Sequence, residues 1–354
     1  MEIMKIQGTI PYGNKEVAVN INIDYGKPMT ILIGPNLTGK SITLMCIAEM
    51  YSRKQFVRGY VKSKIDSLKQ FVRCEGGERV DYTVFVDAYR VTAQPIEYIS
   101  EDLEEIRKNA DELIRGEEGK APPALERIKS RVKRIEELLY ERSIILELKN
   151  YASTHRLSMA YRRFEEVRDG FKKLIEEIAS KIGSEEVNIF KADLIHFSQL
   201  FIDITSDGWL WSDLEVGAEG SNIEVLSSVF APSLVILYAV LTYAMQGTKA
   251  LLIEEPETHA HPSMAMFLGY LLTKLAMSDN TMRVIAATHN FDFLRGALMV
   301  GGKSVGVYVF DRRMDERGVY TLIAEPWNYT AAVPGFTETG VLSILAGSHR
   351  KEVG

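Results

Sequence analysis

The stretch ILIGPNLTGKSITL, residues 31–44, constrains this chain more than any other feature. Gly34, Gly39, Lys40 and Ser41 match the pattern G-x-x-x-x-G-K-[ST]. In such a loop successive backbone N–H groups form a concave nest for a phosphate, and the helix that follows points its positive end at the same anion. The residues that would wrap the phosphates are Gly34, Pro35, Asn36, Leu37, Thr38, Gly39, Lys40, Ser41 and Ile42. Lys40, read as exposed at a helix start, would reach the β- and γ-phosphates, and the Ser41 hydroxyl would ligate Mg²⁺. The pattern has meaning only between a strand and a helix. MTILI supplies an apolar run before it, and SITLMCIAEMYSRK carries Leu44, Ile47 and Met50 at helical spacing after it. An ordinary strand–turn–helix is the competing reading, which the rest of the chain must decide.

At 354 residues, 46% hydrophobic, the chain has enough apolar surface for one large core or two lobes. Its formal charge of −6 excludes a surface that is basic overall, so nucleic acid would need a local patch. The two cysteines, Cys46 and Cys74, form neither a C-x-x-C pair nor a zinc spacing, which predicts reduced thiols in a cytoplasmic protein. MEIMKIQGTI contains no signal-peptide core. The longest apolar run, APSLVILYAVLTYAM, falls short of the roughly 20 residues a bilayer span needs. It reads as a buried core helix, and no membrane partner is expected.

Three regions follow from the patterning. Residues 1–96 are strand-rich around the glycine loop, with VDYTVFVDAYR a further strand. Residues 97–188 switch to helical spacing, as in Leu125, Ile128, Val132, Ile135 and Leu139, and again in Phe164, Val167, Phe171, Leu174 and Ile178. This helical insertion is too long for a connection. Residues 189–354 return to α/β alternation: a hairpin from LFIDI and WLWSDL around TSDG, the apolar helix, the strand ALLIEE, a helix from HPSMAMFLGYLLTKLA, the strand RVIAATHN, a helix from FDFLRGALMV, and the strands VGVYVF and VYTLIAE. Apolar strands alternating with helices predict a largely parallel central sheet.

Two further stretches carry chemistry. In KALLIEEPETHAHP the buried strand Ala250–Ile253 ends in Glu254 and Glu255. Ligands of open α/β sheets sit at the carboxyl ends of strands. There one carboxylate can hold Mg²⁺ and a second can orient the attacking water, roles that fit Glu254 and Glu255 in turn. In RVIAATHN another apolar strand ends in Thr288 and His289, and a histidine at that place can contact a γ-phosphate. His259 and His261 form an H-x-H pair that an extended segment would aim at one metal, although no third ligand is evident.

Loop, acidic strand and histidine strand, in that order, resemble the ABC-type ATPase superfamily, and EEPETHAHP resembles its SMC, RecF and OLD-like branch. The resemblance implies an α/β fold of the P-loop NTPase, ABC-ATPase type: a mostly parallel central sheet plus an antiparallel β lobe, here with the helical insertion. It implies ATP and Mg²⁺ as cofactors, Glu254 at the Walker B metal position, Glu255 as catalytic glutamate, Pro256–Pro262 as the D-loop region including His259 and His261, and His289 as switch histidine. It also implies a homodimer that sandwiches two nucleotides, hydrolyses ATP and drives a conformational change. The expected setting is DNA repair, genome maintenance or defence against mobile elements, with DNA and a separate nuclease or effector as candidate partners.

Departures from the family pattern are specific. Leu37 occupies a common glycine site, where a side chain disfavours positive φ, and Ile42 replaces a hydroxyl residue, so modest nucleotide affinity is expected. No L-S-G-G-Q signature exists. Ser227 and Ser228 are preferred for its phosphate contact, with Gly220 and Ser221 as the competing pair. Gln94 is the candidate for the metal- and nucleotide-contacting Q-loop position, with Arg90 as substitute. The basic run Arg127, Lys129, Arg131, Lys133 and Arg134, and the smaller Arg162 and Arg163, read first as solvated helix faces and second as nucleic-acid contacts. Two other functions compete: a nucleotide-gated binding module with negligible turnover, and the nucleotide-binding subunit of a transporter.

Overall fold

The structure is a computed structural model. It describes residues 3–88 except positions 14, 51, 58 and 78, and residues 200–327 except 205–208, 214–217, 221–226 and 315–317. Between these it describes the helical positions 106, 125, 127, 128, 147 and 148. Arg90, Gln94, Ser221, Lys129, Arg131, Lys133, Arg134, Arg162 and Arg163, and most of 97–188, lie outside the described residues.

A 10-stranded sheet organises the chain. Its parallel block runs β4 (Ser52–Phe56), β6 (Val80–Val86), β10 (Lys249–Glu254), β11 (Met282–Thr288), β3 (Met29–Ile33), β12 (Val305–Met314). Then β13 (Tyr320–Pro326) turns back against β12, and β2 (Lys15–Ile23), β1 (Met4–Tyr12) and β5 (Val72–Glu75) complete a mostly antiparallel lobe. The parallel block and the antiparallel lobe were both expected. Their fusion into one sheet, through the parallel pairing of β13 with β2, was not. The expected hairpin forms a separate sheet of β7 (Leu200–Ile204), β8 (Trp209–Asp213) and β9 (Ala218–Gly220).

The central strands are apolar on both faces because both faces are covered. Ile31, Leu251, Ile253, Val284 and Ala286 join one core, beneath α3 (Ser227–Ala244), α4 (Pro262–Ser278) and α5 (Phe291–Gly301). The alternating Leu32, Ala250, Leu252, Ile285 and Ala287 join the other, beneath α1 (Lys40–Met50) and α2 (Gly59–Leu68). Helix α3 is the long apolar run: Leu234, Val235, Ile236, Leu237, Tyr238 and Ala239 are all buried, so every side of that stretch faces protein. Among the described residues no helix is long and apolar enough to cross a membrane. Helix α2 had no counterpart in the sequence reading; its buried residues Val61 and Ile65 are too few to mark a face.

Two sequence expectations change here. Cys46 on α1 and Cys74 on β5 form a disulfide, across 28 residues of sequence, instead of two reduced thiols. The pairing arises because β5 reaches the sheet edge through β1 and passes against α1, a neighbourhood that cysteine spacing does not encode. Denatured protein kept from reductant should therefore show no free thiol on titration, and Cys74→Ala should lower the unfolding free energy by about 3 kcal/mol. One free thiol per cysteine in protein purified without reductant would refute the pairing. Of the apolar stripe expected in 97–188, Leu125 is 44% exposed; Leu148, which no expected stripe included, is wholly buried within the core under α3. Its neighbour Glu147 pairs with Lys54 of β4. At that point the region packs on the sheet core.

Candidate functional site

Parallel pairing brings the three motifs to one edge. β10, β11 and β3 are adjacent, Glu254 lies opposite Ala287, and Thr288 lies opposite Ile33. The acids, the histidine and the glycine loop therefore leave the same ends of neighbouring strands.

The loop conformation depends on glycine. A Cβ on Gly34 would lie 2.3 Å from the Phe310 carbonyl oxygen, so only glycine lets the loop pass β12. Leu37 does adopt φ 62°, the left-handed conformation its position was expected to resist. Its side chain is 63% exposed and provides little packing in return. A left-handed non-glycine residue costs about 1–2 kcal/mol. Leu37→Asn, a residue that tolerates this conformation, should raise the unfolding free energy in urea by about 1 kcal/mol. A loss of stability would show that the Leu37 side chain packs where it looks exposed.

Lys40 corrects the sequence reading in one respect: it is buried, 8% exposed. Its ammonium donates to the carbonyl oxygens of Gly34 and Pro35, at 2.7 Å each. The ammonium thus ties the loop together from within, and the Thr38 hydroxyl also donates to the Pro35 carbonyl, at 2.8 Å. Burial pushes the Lys40 pKa down to about 8, against the opposing fields of Glu255, Glu257 and Glu254.

Glu254 is bonded by the Ser41 side chain, which joins the end of β10 to the start of α1. Its pKa is raised, chiefly by burial and further by Asp87, with the Ser41 bond opposing. Asp87 is 1% exposed and follows β6 directly, and β6 pairs with β10. Sequence analysis missed Asp87. Its one legible signal was a carboxylate at the end of an apolar strand, the same signal that exposed Glu254.

Glu255 stands in the left-handed region, φ 46°. The turn that follows holds it there: the Thr258 N–H and hydroxyl both donate to the Glu255 carbonyl, at 2.9 and 2.8 Å, with Pro256 in the second position. The Glu255 N–H donates to the Ala287 carbonyl at 2.7 Å, anchoring the turn to β11. His289 Nδ1 lies 3.7 Å from Glu255 Oε1. Strain of this kind concentrates where a side chain must be aimed.

His259 and His261 are not a metal pair in this arrangement. His259 takes φ 61° in the turn, and His261 is the N-cap of α4, accepting from the Ser263 N–H, with Pro262 at the first helical position. Among the described residues no group of three or more His, Cys, Asp and Glu is arranged to hold a metal ion alone. Ser227 and Ser228 begin α3, as expected for a helix N-terminus, and Gly220 ends β9.

A cavity of about 580 Å³ opens on the glycine loop, Lys40, Ser41, Ile42, Glu254 and Glu255. Its other wall comes from parts of the chain that sequence motifs did not mark: Tyr12 on β1, Val17 on β2, Lys64 on α2, and Arg312 and Tyr320 on the β12–β13 pair. The Arg312 guanidinium lies 5.6 Å from the Tyr320 ring centroid, a cation–π contact. His289 does not line this cavity; it borders Glu255 from the side.

No family model and no curated protein matches the chain. Solved structures similar to it include the Smc head domain of Pyrococcus furiosus with an extended coiled coil, bound to the C-terminal domain of ScpA. That likeness has 12% identity and a TM-score of 0.43 over 100% of both chains. An ATP-binding cassette of an ABC transporter, in its ADP conformation, is similar at 12% identity and a TM-score of 0.37, over 100% of this chain and 98% of the other. RNase-L Inhibitor is similar at 9% identity and a TM-score of 0.38, and this chain spans 39% of its length. The fold is mixed α/β, with a large sheet of mostly parallel strands plus antiparallel ones, and its structural neighbours are ABC-type ATPase domains at low identity.

Proposed function

We propose that this chain binds ATP with Mg²⁺ and hydrolyses it, as an ABC-type ATPase of the SMC, RecF and OLD-like branch. One observation carries the proposal: a single cavity joins the glycine loop, the Ser41–Glu254 pair and Glu255, with Lys40 inside the field of the carboxylates. The residues fit the groups. The loop backbone from Gly34 to Ile42 would receive the phosphates. Ser41 and Glu254, already in contact, would hold Mg²⁺, with Gln94 as a further ligand. The ion, when bound, would neutralise charge on the phosphate oxygens. Glu255 would orient the attacking water and take its proton, with His289 beside it. Tyr12, Arg312 and Tyr320 would form the wall that takes the base, since an aromatic ring and a guanidinium plane both stack on it.

Ser227 and Ser228 would complete the partner subunit's site in an ATP-dependent homodimer, and the cycle of closing and opening would move the region 97–188. DNA repair, genome maintenance or defence against mobile elements is the setting we assign to that motion, with DNA and a separate effector chain as partners. The buried burial partner Leu148 limits how that region is tested: a deletion must spare it.

The direct test is release of phosphate from ATP by the purified protein, with Mg²⁺ and with EDTA. Mg²⁺-dependent turnover is expected. ATP binding without turnover would favour the gated binding module, a reading that the strained Leu37 also favours. Failure to bind millimolar ATP would overturn both.

A further inference from the structure

The cluster beside Glu255 contains a carboxylate that none of the roles above uses. Glu257, two residues on in the same turn, is 6% exposed. Its Oε1 accepts the Thr288 hydroxyl at 2.6 Å and lies 3.4 Å from the His289 backbone nitrogen, whose N–H donates to it. His289 Nδ1 is 3.7 Å from this same oxygen and 3.7 Å from Glu255 Oε1. One ring nitrogen of the histidine therefore faces two carboxylates, one half-exposed and one buried. Glu257 Oε2 is buried and has no hydrogen-bond partner.

Burying a carboxylate with one oxygen unsatisfied is costly, and a turn has no packing need for it. A threonine or asparagine would satisfy Thr288 equally well. What a carboxylate adds is negative charge facing Nδ1. Thr288 pins that carboxylate: its hydroxyl donates to Glu257 and accepts the Asn290 N–H at 2.9 Å. Asn290 in turn caps α5, accepting from the N–H groups of Asp292 and Phe293. The charged groups facing the ring nitrogen are Glu255 and Glu257 from the turn, and Lys40 of α1 lies in the field of both; Asp292 stands in the first turn of α5, which begins two residues after His289.

We propose that Glu257 is a positioning residue: it holds the His289 ring with Nδ1 toward the carboxylates, and so fixes His289 against Glu255. The inference rests on the hydrolysis reading for its consequence but not for its geometry. Facing two carboxylates favours a proton on Nδ1. It leaves Nε2 as the ring nitrogen available to a substrate. Burial raises the Glu257 pKa and so works against its charge, an effect that the Thr288 hydroxyl and His289 oppose.

Two measurements on the full chain test this. The first is ring ¹H–¹⁵N correlation spectroscopy without nucleotide, with the His289 signal assigned by its loss in His289→Ala. Wild type should carry a proton on Nδ1, and Glu257→Gln and Thr288→Val should shift the ring toward the Nε2–H form. A wild-type ring without a proton on Nδ1, or one unmoved by Glu257→Gln, overturns the proposal. The second is steady-state hydrolysis. Glu257→Gln should lower kcat about 10-fold with KM for ATP within about twofold. It should have no further effect in a His289→Ala background, and Glu257→Asp should recover part of the loss. A Glu257→Gln loss that is equally large without His289 overturns the proposal, because Glu257 would then act independently. If wild type hydrolyses no ATP, the hydrolysis reading fails and the ring measurement alone decides the positioning claim. Thr288→Val, which unpins Glu257 while leaving the carboxyl group in place, covers the case in which Glu257→Gln does not fold.

Discussion

Lys40→Ala should weaken ATP binding at least about 100-fold, the loss of charge-assisted hydrogen bonds worth about 1.5–3 kcal/mol each. The fold should survive, since α1 is anchored by Leu44 and Ile47 in the core and not by the lysine. The free protein already shows what the ammonium does: it bonds the Gly34 and Pro35 carbonyls at 2.7 Å and sits within the field of Glu254, Glu255 and Glu257. A phosphate would draw it from those carbonyls. Its pKa of about 8, lowered by burial, adds a pH signature. The phosphate binds the protonated form. Below pH 8 that form is present, and above it the protein must take up a proton to bind. Affinity should therefore fall by up to about tenfold per pH unit above 8, and Lys40→Ala should lose that slope. Isothermal titration of ATP from pH 7 to 9.5 reads both effects. Wild-type-like binding by Lys40→Ala would remove the loop from the site.

Glu255→Gln should cut turnover by about 100-fold or more while leaving ATP bound, because the amide keeps the shape of the carboxylate but cannot take a proton from water. The ATP-bound protein should then accumulate as a dimer, seen as a shift on size exclusion with ATP and Mg²⁺. The surroundings of the two acids distinguish their roles. Glu254 is bonded by Ser41 and flanked by buried Asp87, a place for a cation. Glu255 is turned out of the strand at φ 46°, partly exposed, with His289 3.7 Å away. Glu254→Gln should instead weaken Mg²⁺ dependence. Normal turnover in Glu255→Gln with a dead Glu254→Gln would mean that the two carboxylates have exchanged roles.

Along the chain, local chemistry alone determined the glycine loop with its flanking strand and helix, the apolar strands ending in Glu254 and His289, and the β7–β8 hairpin. Each is written in a run of neighbouring residues: a glycine where the backbone must pass close, an apolar run where both faces are covered, a polar tip where the strand ends. Parallel sheets place ligands at strand ends, so even the meeting of the three motifs followed from their type. What only the tertiary structure decided depends on which strand lies beside which. β6 beside β10 puts Asp87 next to Glu254, and β13 beside β2 brings Tyr320 and Arg312 to the wall that Tyr12 and Val17 share. β5 against α1 pairs Cys46 with Cys74. Lys40 looked exposed in sequence because a lysine at a helix start usually is, but the loop closes over it. Glu257 looked like one more acid in an acidic turn, and it became the partner of Thr288 and His289, 31 and 32 residues away, only when β10 and β11 paired. Strand pairing is a contest among long-range alternatives, and no short window of sequence records its outcome.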